Sequence, residues 1–191
     1  MRPSIVILTG ARNVGKSTVC QKTVDLARAA GYTCNGLLTL KRTGGVLDVV
    51  DVQSGVQSGE RRPLTADHRS THTVIQGRFL FDAETIAWGN EVLRLARGCQ
   101  LLVVDELGPL EIERGGGWQA ALDLLREGDF ALALVVVRPE LVEQLQRRFP
   151  PEATTIFTVD AHNRDELSAQ IVTMLEAVLN READGYTHVL E

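Results

Sequence analysis

Between a short apolar run, Ile5-Val6-Ile7-Leu8, and an amphipathic stretch over 17–30 stands the segment Gly10-Ala11-Arg12-Asn13-Val14-Gly15-Lys16-Ser17-Thr18. It fits the pattern G-x-x-x-x-G-K-S/T. A strand before it and a helix after it supply the context in which that pattern cradles phosphate groups. Glycines let the backbone curl so that successive N–H groups point inward. The first turn of the following helix adds the positive end of its dipole. Lys16 is placed to carry an ammonium group to the β- and γ-phosphates of a triphosphate, and the Ser17 hydroxyl to ligate magnesium.

The rest of the chain repeats the strand-then-helix rhythm. The runs 5–8, 101–104, 131–137 and 155–159 are continuously apolar, as strands buried on both faces are. Helical patterns lie between them. Residues 17–30 put Val19, Cys20, Val24, Ala27 and Ala30 near one face before Gly31. Residues 82–97 open on Asp82 as an N-cap, 118–127 stop at Gly128, and 139–148 begin with Pro139. Residues 163–180 open with a capping-box pair, Asn163 and Glu166, and carry Leu167, Ile171, Leu175 and Val178 at helical spacing. Alternating strands and helices predict an α/β fold of three layers, a mostly parallel sheet with helices on both faces. Residues 33–40 and 46–52 read as strands of a hairpin around Lys41-Arg42-Thr43-Gly44-Gly45, and 53–73 as a long surface loop. The expected organisation is one domain over 1–180, with the hairpin and loop inserted at about 33–76 and a polar tail, 181–191, that frays.

Composition bears on partners. The chain has 191 residues, 44% hydrophobic and 24% charged, with a net charge of -5 and no dense Lys/Arg block. Neither nucleic acid nor a membrane is therefore an expected partner. Cys20, Cys34 and Cys99 are widely spaced and odd in number, which fits a reducing cytoplasm better than a disulfide framework or a zinc knuckle. His68 and His72 lack a third metal ligand in sequence.

A second motif completes the first. Leu101-Leu102-Val103-Val104-Asp105-Glu106 describes a buried strand delivering carboxylates at its C-terminal edge, where open parallel sheets bind ligands. Asp105 is the expected magnesium-holding acid. Glu106 is expected to leave the strand on the opposite side and to orient or deprotonate a water.

These motifs, with Val103 through Glu111 and Asn163-Arg164-Asp165-Glu166-Leu167, resemble the small nucleoside-triphosphatase family. Gly36-Leu37-Leu38-Thr39 is similar to that family's Gly-Phe-x-Thr strand, and residues 77–82 to its Gly-x-Tyr-x-x-Asp helix entry. The resemblance, from Ile5 to about Leu179, implies a single-domain P-loop fold with a RecA-like sheet. It also implies hydrolysis of nucleoside triphosphates with little base preference. Three features depart from the family pattern. Arg12-Asn13 stands where Pro-Gly is usual, Leu40-Lys41-Arg42 replaces glutamates after Thr39, and a glycine run expected to be mobile, Gly115-Gly116-Gly117, follows Glu111.

Arg12 lies inside the glycine loop, while Arg78, Arg114 and Arg138 each follow or precede an element end from which they can face a nucleotide; Arg114, beside the glycine run, is the candidate for the γ-phosphate. Trp118 and Trp88 read as core side chains and Asn163 as a helix cap. The absence of an Asn-Lys-x-Asp guanine reader disfavours a dedicated GTPase. Two alternatives stand beside hydrolysis: a P-loop kinase acting on a small acceptor, and a slow nucleotide-gated accessory protein.

Overall fold

The computed structural model of the chain describes residues 4–65, 73–76 and 79–187. His68, His72 and Arg78 lie outside them, as does the Gly77-Arg78 start of the helix-entry segment. Nine strands are present among the described residues: β1 (Ser4–Thr9), β2 (Cys34–Lys41), β3 (Leu47–Asp51), β4 (Arg61–Pro63), β5 (Thr73–Gln76), β6 (Phe79–Asp82), β7 (Cys99–Leu107), β8 (Phe130–Val137) and β9 (Thr154–Thr158). The helices are α1 (Lys16–Ala29), α2 (Ala83–Leu95), α3 (Pro109–Ile112), α4 (Gln119–Glu127), α5 (Val142–Gln146) and α6 (Leu167–Thr187).

Seven strands form one sheet in the order β4-β3-β2-β7-β8-β1-β9. Strands β2, β7, β8, β1 and β9 are parallel, and β3 and β4 add an antiparallel edge. Their side chains alternate between two cores. Ile5 and Ile7 of β1, with Ala133, Val135 and Val137 of β8, join Leu93, Ala121 and Leu125 of α2 and α4 on one face. Val6 and Leu8, with Leu132, Leu134 and Val136, join Val24, Ile171 and Leu175 of α1 and α6 on the other. A strand whose neighbours on both faces are apolar needs no polar alternation, which is why the central runs are continuous. No helix among the described residues is long and apolar enough to cross a membrane.

Several local expectations need correction. The run 155–159 is an edge strand, paired with β1 alone, and Ile156 is 39% exposed. Ala30 is exposed at the end of α1. Residues 139–148 divide into a 3-10 turn, Pro139–Leu141, and the short α5. Asn163 is not the N-cap of α6: its Oδ1 accepts from the Asp160 N–H at 2.9 Å and its amide donates to the Thr158 carbonyl at 2.8 Å, pinning the turn after β9. The helix continues past Asn180 to Thr187. Part of the expected loop after β3 is ordered as β4, whose Pro63 pairs with Asp48. Trp88 is half-buried rather than core, with the Arg62 guanidinium 4.7 Å above its ring.

Candidate active site

The glycine loop connects β1 to α1 at the C-terminal edge of the sheet and lines a cavity of about 1150 Å³. Three of its residues have positive φ: Gly10 at 136°, Asn13 at 61° and Gly15 at 112°. A Cβ on Gly10 would stand 2.5 Å from the Val159 carbonyl oxygen, so the close approach to the end of β9 admits only glycine. Asn13 occupies the left-handed region that asparagine tolerates better than other non-glycine residues. Asn13 thus adopts a positive φ that glycine, usual at this place in the family pattern, reaches freely.

Helix α1 begins without a side-chain cap and with no acidic residue in its first turn. Its leading N–H groups are thus available to an anion at the cavity end of the dipole. Lys16 Nζ donates to the carbonyls of Gly10 at 2.9 Å and Ala11 at 2.8 Å, which folds the ammonium over the loop.

Asp105, near the end of β7, is 2% exposed. Its Oδ2 accepts from the Thr39 N–H at 3.2 Å, and the Thr39 hydroxyl donates to its carbonyl at 2.6 Å. Burial pushes the carboxyl up to about 7; the Ser17 hydroxyl bonded to it opposes the rise and the charge of Glu106 adds to it. A carboxyl group and a hydroxyl, in contact beside Lys16 on the cavity wall, are hard oxygen donors of the kind that suit a magnesium ion. The expected pair, Ser17 and Asp105, does meet in space.

Glu106 also lines this cavity, for a reason the strand alternation did not supply. Between Asp105 and Leu107 the register slips: Asp105 pairs with Val136 and Leu107 with Val137, so Glu106 is the additional residue of a bulge. Bulges re-aim side chains. Both acids therefore reach one cavity, Asp105 buried and Glu106 exposed, instead of serving opposite faces. Arg138, just past β8, donates from Nε to Glu106 Oε1 at 2.7 Å. Arg12 and Arg138 line the cavity, whereas Arg114 is solvent-exposed and absent from its lining. The arginine beside the acids is Arg138 because β8 lies between β1 and β7 and its C-terminal end opens onto the same edge.

Two of the three glycines of the run, Gly116 and Gly117, are packed, and Gly115 is exposed. Gly116 donates its N–H to the Leu110 carbonyl at 2.9 Å. Gly117, with φ 62°, leaves room for Glu111, whose Oε1 would stand 1.7 Å from a Cβ there. Glu111, 6% exposed, accepts from the N–H groups of Gly108 at 2.8 Å and Trp118 at 3.2 Å. Burial raises its carboxyl above the ordinary glutamate value. Trp118 is 4% exposed and packs on Gly89 of α2, the core position expected for it, with one edge on the cavity wall. Two contacts are not read from the sequence: Thr39 clamps Asp105, and Arg138 pairs with a glutamate 32 positions away. Each residue carries a signal, Thr39 its place in the Gly-x-x-Thr strand and Arg138 its position at an element end, but neither signal names the partner.

The family description NTPase matches residues 5–172. Nucleoside-triphosphatase THEP1 of Methanopyrus kandleri is 31% identical over 182 residues, covering 89% of this chain and 94% of its own. That of Methanosarcina acetivorans is 30% identical over 179 residues, 87% of this chain and 93% of its own. Among solved structures, a human cancer-related nucleoside triphosphatase superposes with a TM-score of 0.71 at 26% identity, covering 91% of this chain and 98% of its own. THEP1 from Aquifex aeolicus superposes at 0.65 with 17% identity, over 90% and 99%, a likeness of fold. With a strand-loop-helix phosphate cradle, a buried acid beside its serine, and a match over almost the whole length, this chain belongs to the NTPase family.

Proposed function

We propose that this protein binds a nucleoside triphosphate with magnesium and hydrolyses it to the diphosphate and phosphate, with weak preference among bases. The observation that carries the reading is the convergence of Lys16, Ser17, Asp105 and Glu106 on one cavity at the C-terminal edge of the parallel sheet. The loop's N–H groups and the start of α1 hold the phosphates. Lys16 exchanges the carbonyls of Gly10 and Ala11 for β- and γ-phosphate oxygens. Ser17 and Asp105 hold the magnesium ion, which when bound neutralises charge developing on those oxygens. Glu106 accepts a hydrogen bond from the attacking water and orients it, or takes its proton, as it adds to the γ-phosphorus. The bond from that phosphorus to the β–γ bridging oxygen breaks, and the diphosphate departs with the electron pair. Arg138, beside Glu106, takes the role that Arg114 was expected to play.

Weak base preference follows from the absence of a guanine-reading motif and of any other recognisable base-edge reader in the sequence. A pocket that hydrogen-bonded one base would reject the others by about 10⁴–10⁵, because its polar groups would be left unpaired. Phosphate release from ATP, GTP, CTP and UTP, each with and without magnesium, tests the reading. All four are expected to be hydrolysed, with kcat/KM within about a hundredfold of one another, far below that discrimination, and only when magnesium is present. Turnover of a single base, or turnover unaffected by chelation of magnesium, would overturn it.

A further inference from the structure

The segment Asn163-Arg164-Asp165-Glu166-Leu167 takes no part in the chemistry above, yet it lies against the phosphate loop. It belongs to the turn after β9, the strand beside β1 on the side away from β8 and β7. Three close approaches bring that turn to the loop and to α1. A Cβ on Gly10 would meet the carbonyl oxygen of Val159, where the turn begins. A Cβ on Gly15 would stand 3.4 Å from Cδ of Arg164, an ordinary contact distance. Asp165 accepts from the Lys22 ammonium of α1 at 2.9 Å.

Arg164 is exposed, and its guanidinium makes no hydrogen bond or ion pair with a described residue, while the adjacent Asp165 is held by Lys22. The backbone that carries it is fixed. Asp160 Oδ1 accepts from the N–H groups of His162 at 2.7 Å and Asn163 at 2.9 Å, and the Arg164 N–H donates to the Asp160 carbonyl at 3.3 Å. The acids stand on the other side of the loop. Asp105 and Glu106 belong to β7 and Arg138 follows β8, both strands across β1 from β9, and no residue of the turn lines their cavity. A triphosphate with its γ-phosphorus at those groups extends its nucleoside away from them, toward the side of β1 on which β9 and its turn stand.

A base offers a protein either its hydrogen-bonding edge or its flat face. An edge reader needs fixed donors and acceptors, and such a site rejects the wrong base. A guanidinium is planar and cationic, and it stacks on the face, which every base has. We propose that Arg164 is the platform on which the nucleobase stacks, so that the site holds any base by its face and reads none by its edge. The proposal rests on the triphosphate reading above and gives its weak base preference a residue.

The test measures affinities by calorimetry with purified full-length protein and magnesium. The ligands are non-hydrolysable analogues of ATP, GTP, CTP and UTP, and inorganic triphosphate, which has the phosphates without a base. Arg164→Leu is expected to weaken all four nucleotides by at least about fivefold, the lower end of what a lost base stack costs. Its affinity for inorganic triphosphate should change by less than about twofold. Arg164→Tyr, which keeps a flat face and drops the charge, should recover most of the loss. Arg164→Lys, which keeps the charge and drops the flat face, should not. The ratio of nucleotide to inorganic triphosphate affinity is internal to each sample, so partial unfolding cannot imitate the result. An equal loss for nucleotides and inorganic triphosphate, or recovery by lysine and not by tyrosine, would make Arg164 a phosphate contact and overturn the platform. Unchanged affinity for all five ligands would overturn it as well, and so would a loss confined to one base, the behaviour of an edge reader. In each of these cases magnesium-dependent hydrolysis by the parent leaves the triphosphatase reading standing. If the parent binds neither nucleotide nor inorganic triphosphate, both readings fall.

Discussion

Asn13 holds φ at 61° in the middle of the phosphate loop, a conformation in which a β-branched side chain would crowd the following carbonyl. Asn13→Val is expected to destabilise the fold by about 1–2 kcal/mol, and Asn13→Gly to remain close to the parent, both read by thermal unfolding. Equal stability of the Asn and Val forms would mean that the loop does not need this conformation. The arginine beside the acids makes a second prediction at the same scale. Arg138 touches Glu106 at 2.7 Å while Arg114 stands outside the cavity. Arg138→Ala should lower triphosphate turnover by at least about tenfold, within what an arginine near a γ-phosphate supplies. Arg114→Ala should change it by less than about twofold, as exposed substitutions away from a site do. A reversal of that order in steady-state kinetics would return the role to Arg114. The sequence could not separate the two, because each follows or precedes an element end and only the strand order brings one of them to the acids.

At the scale of elements, the two ends of the segment from Gly108 to Trp118 are tied by one carboxylate. Glu111 caps the four-residue helix α3 through the Gly108 N–H and closes the glycine turn through the Trp118 N–H. Replacing it by alanine strands two buried donors at about 1–3 kcal/mol each, from which relief of the carboxyl's own burial subtracts a part. Glu111→Ala is therefore expected to cost at least about 2 kcal/mol in denaturant unfolding. Glu111→Gln, which keeps an acceptor, should cost distinctly less. Indistinguishable losses for the two would show that the segment is held by packing of Trp118 instead. The same segment explains why the glycine run reads as mobile in sequence. Three consecutive glycines carry no apolar side chain, and the packing partner of Gly117, Glu111, is a residue type seldom found buried.

Across the whole molecule, what could be read from the chain was what local periodicity encodes. The apolar runs of β1, β7 and β8 and the spacing of Leu167, Ile171, Leu175 and Val178 match the two cores residue for residue. Strand β4 was missed because Arg61-Arg62-Pro63 has no apolar alternation; it is held by pairing with β3 and by the Leu64 N–H bonded to the Leu47 carbonyl at 2.7 Å. The edge position of β9 was equally hidden, since an apolar run does not say how many neighbours it has. In the candidate site, the glycine loop with Ser17 and Asp105 was legible, as motifs that carry their chemistry in consecutive residues. Thr39 on Asp105 and Arg138 on Glu106 were not, since both contacts join strands brought together only by the order β2-β7-β8. The bulge at Glu106 changes the expected geometry, and the role proposed for Glu106 is that of holding the attacking water.

That role is the central claim, and single-turnover phosphate release by Glu106→Gln tests it most directly. Glutamine keeps the size of the side chain and removes the anionic acceptor, while Lys16, Ser17 and Asp105 still hold the triphosphate. Because positioned general-base catalysis is worth about 10²–10⁴ in rate, release is expected to fall by at least about a hundredfold. Affinity for a non-hydrolysable triphosphate should remain near that of the parent. Hydrolysis by Glu106→Gln at the parent rate would contradict the account and make the carboxylate a structural partner of Arg138.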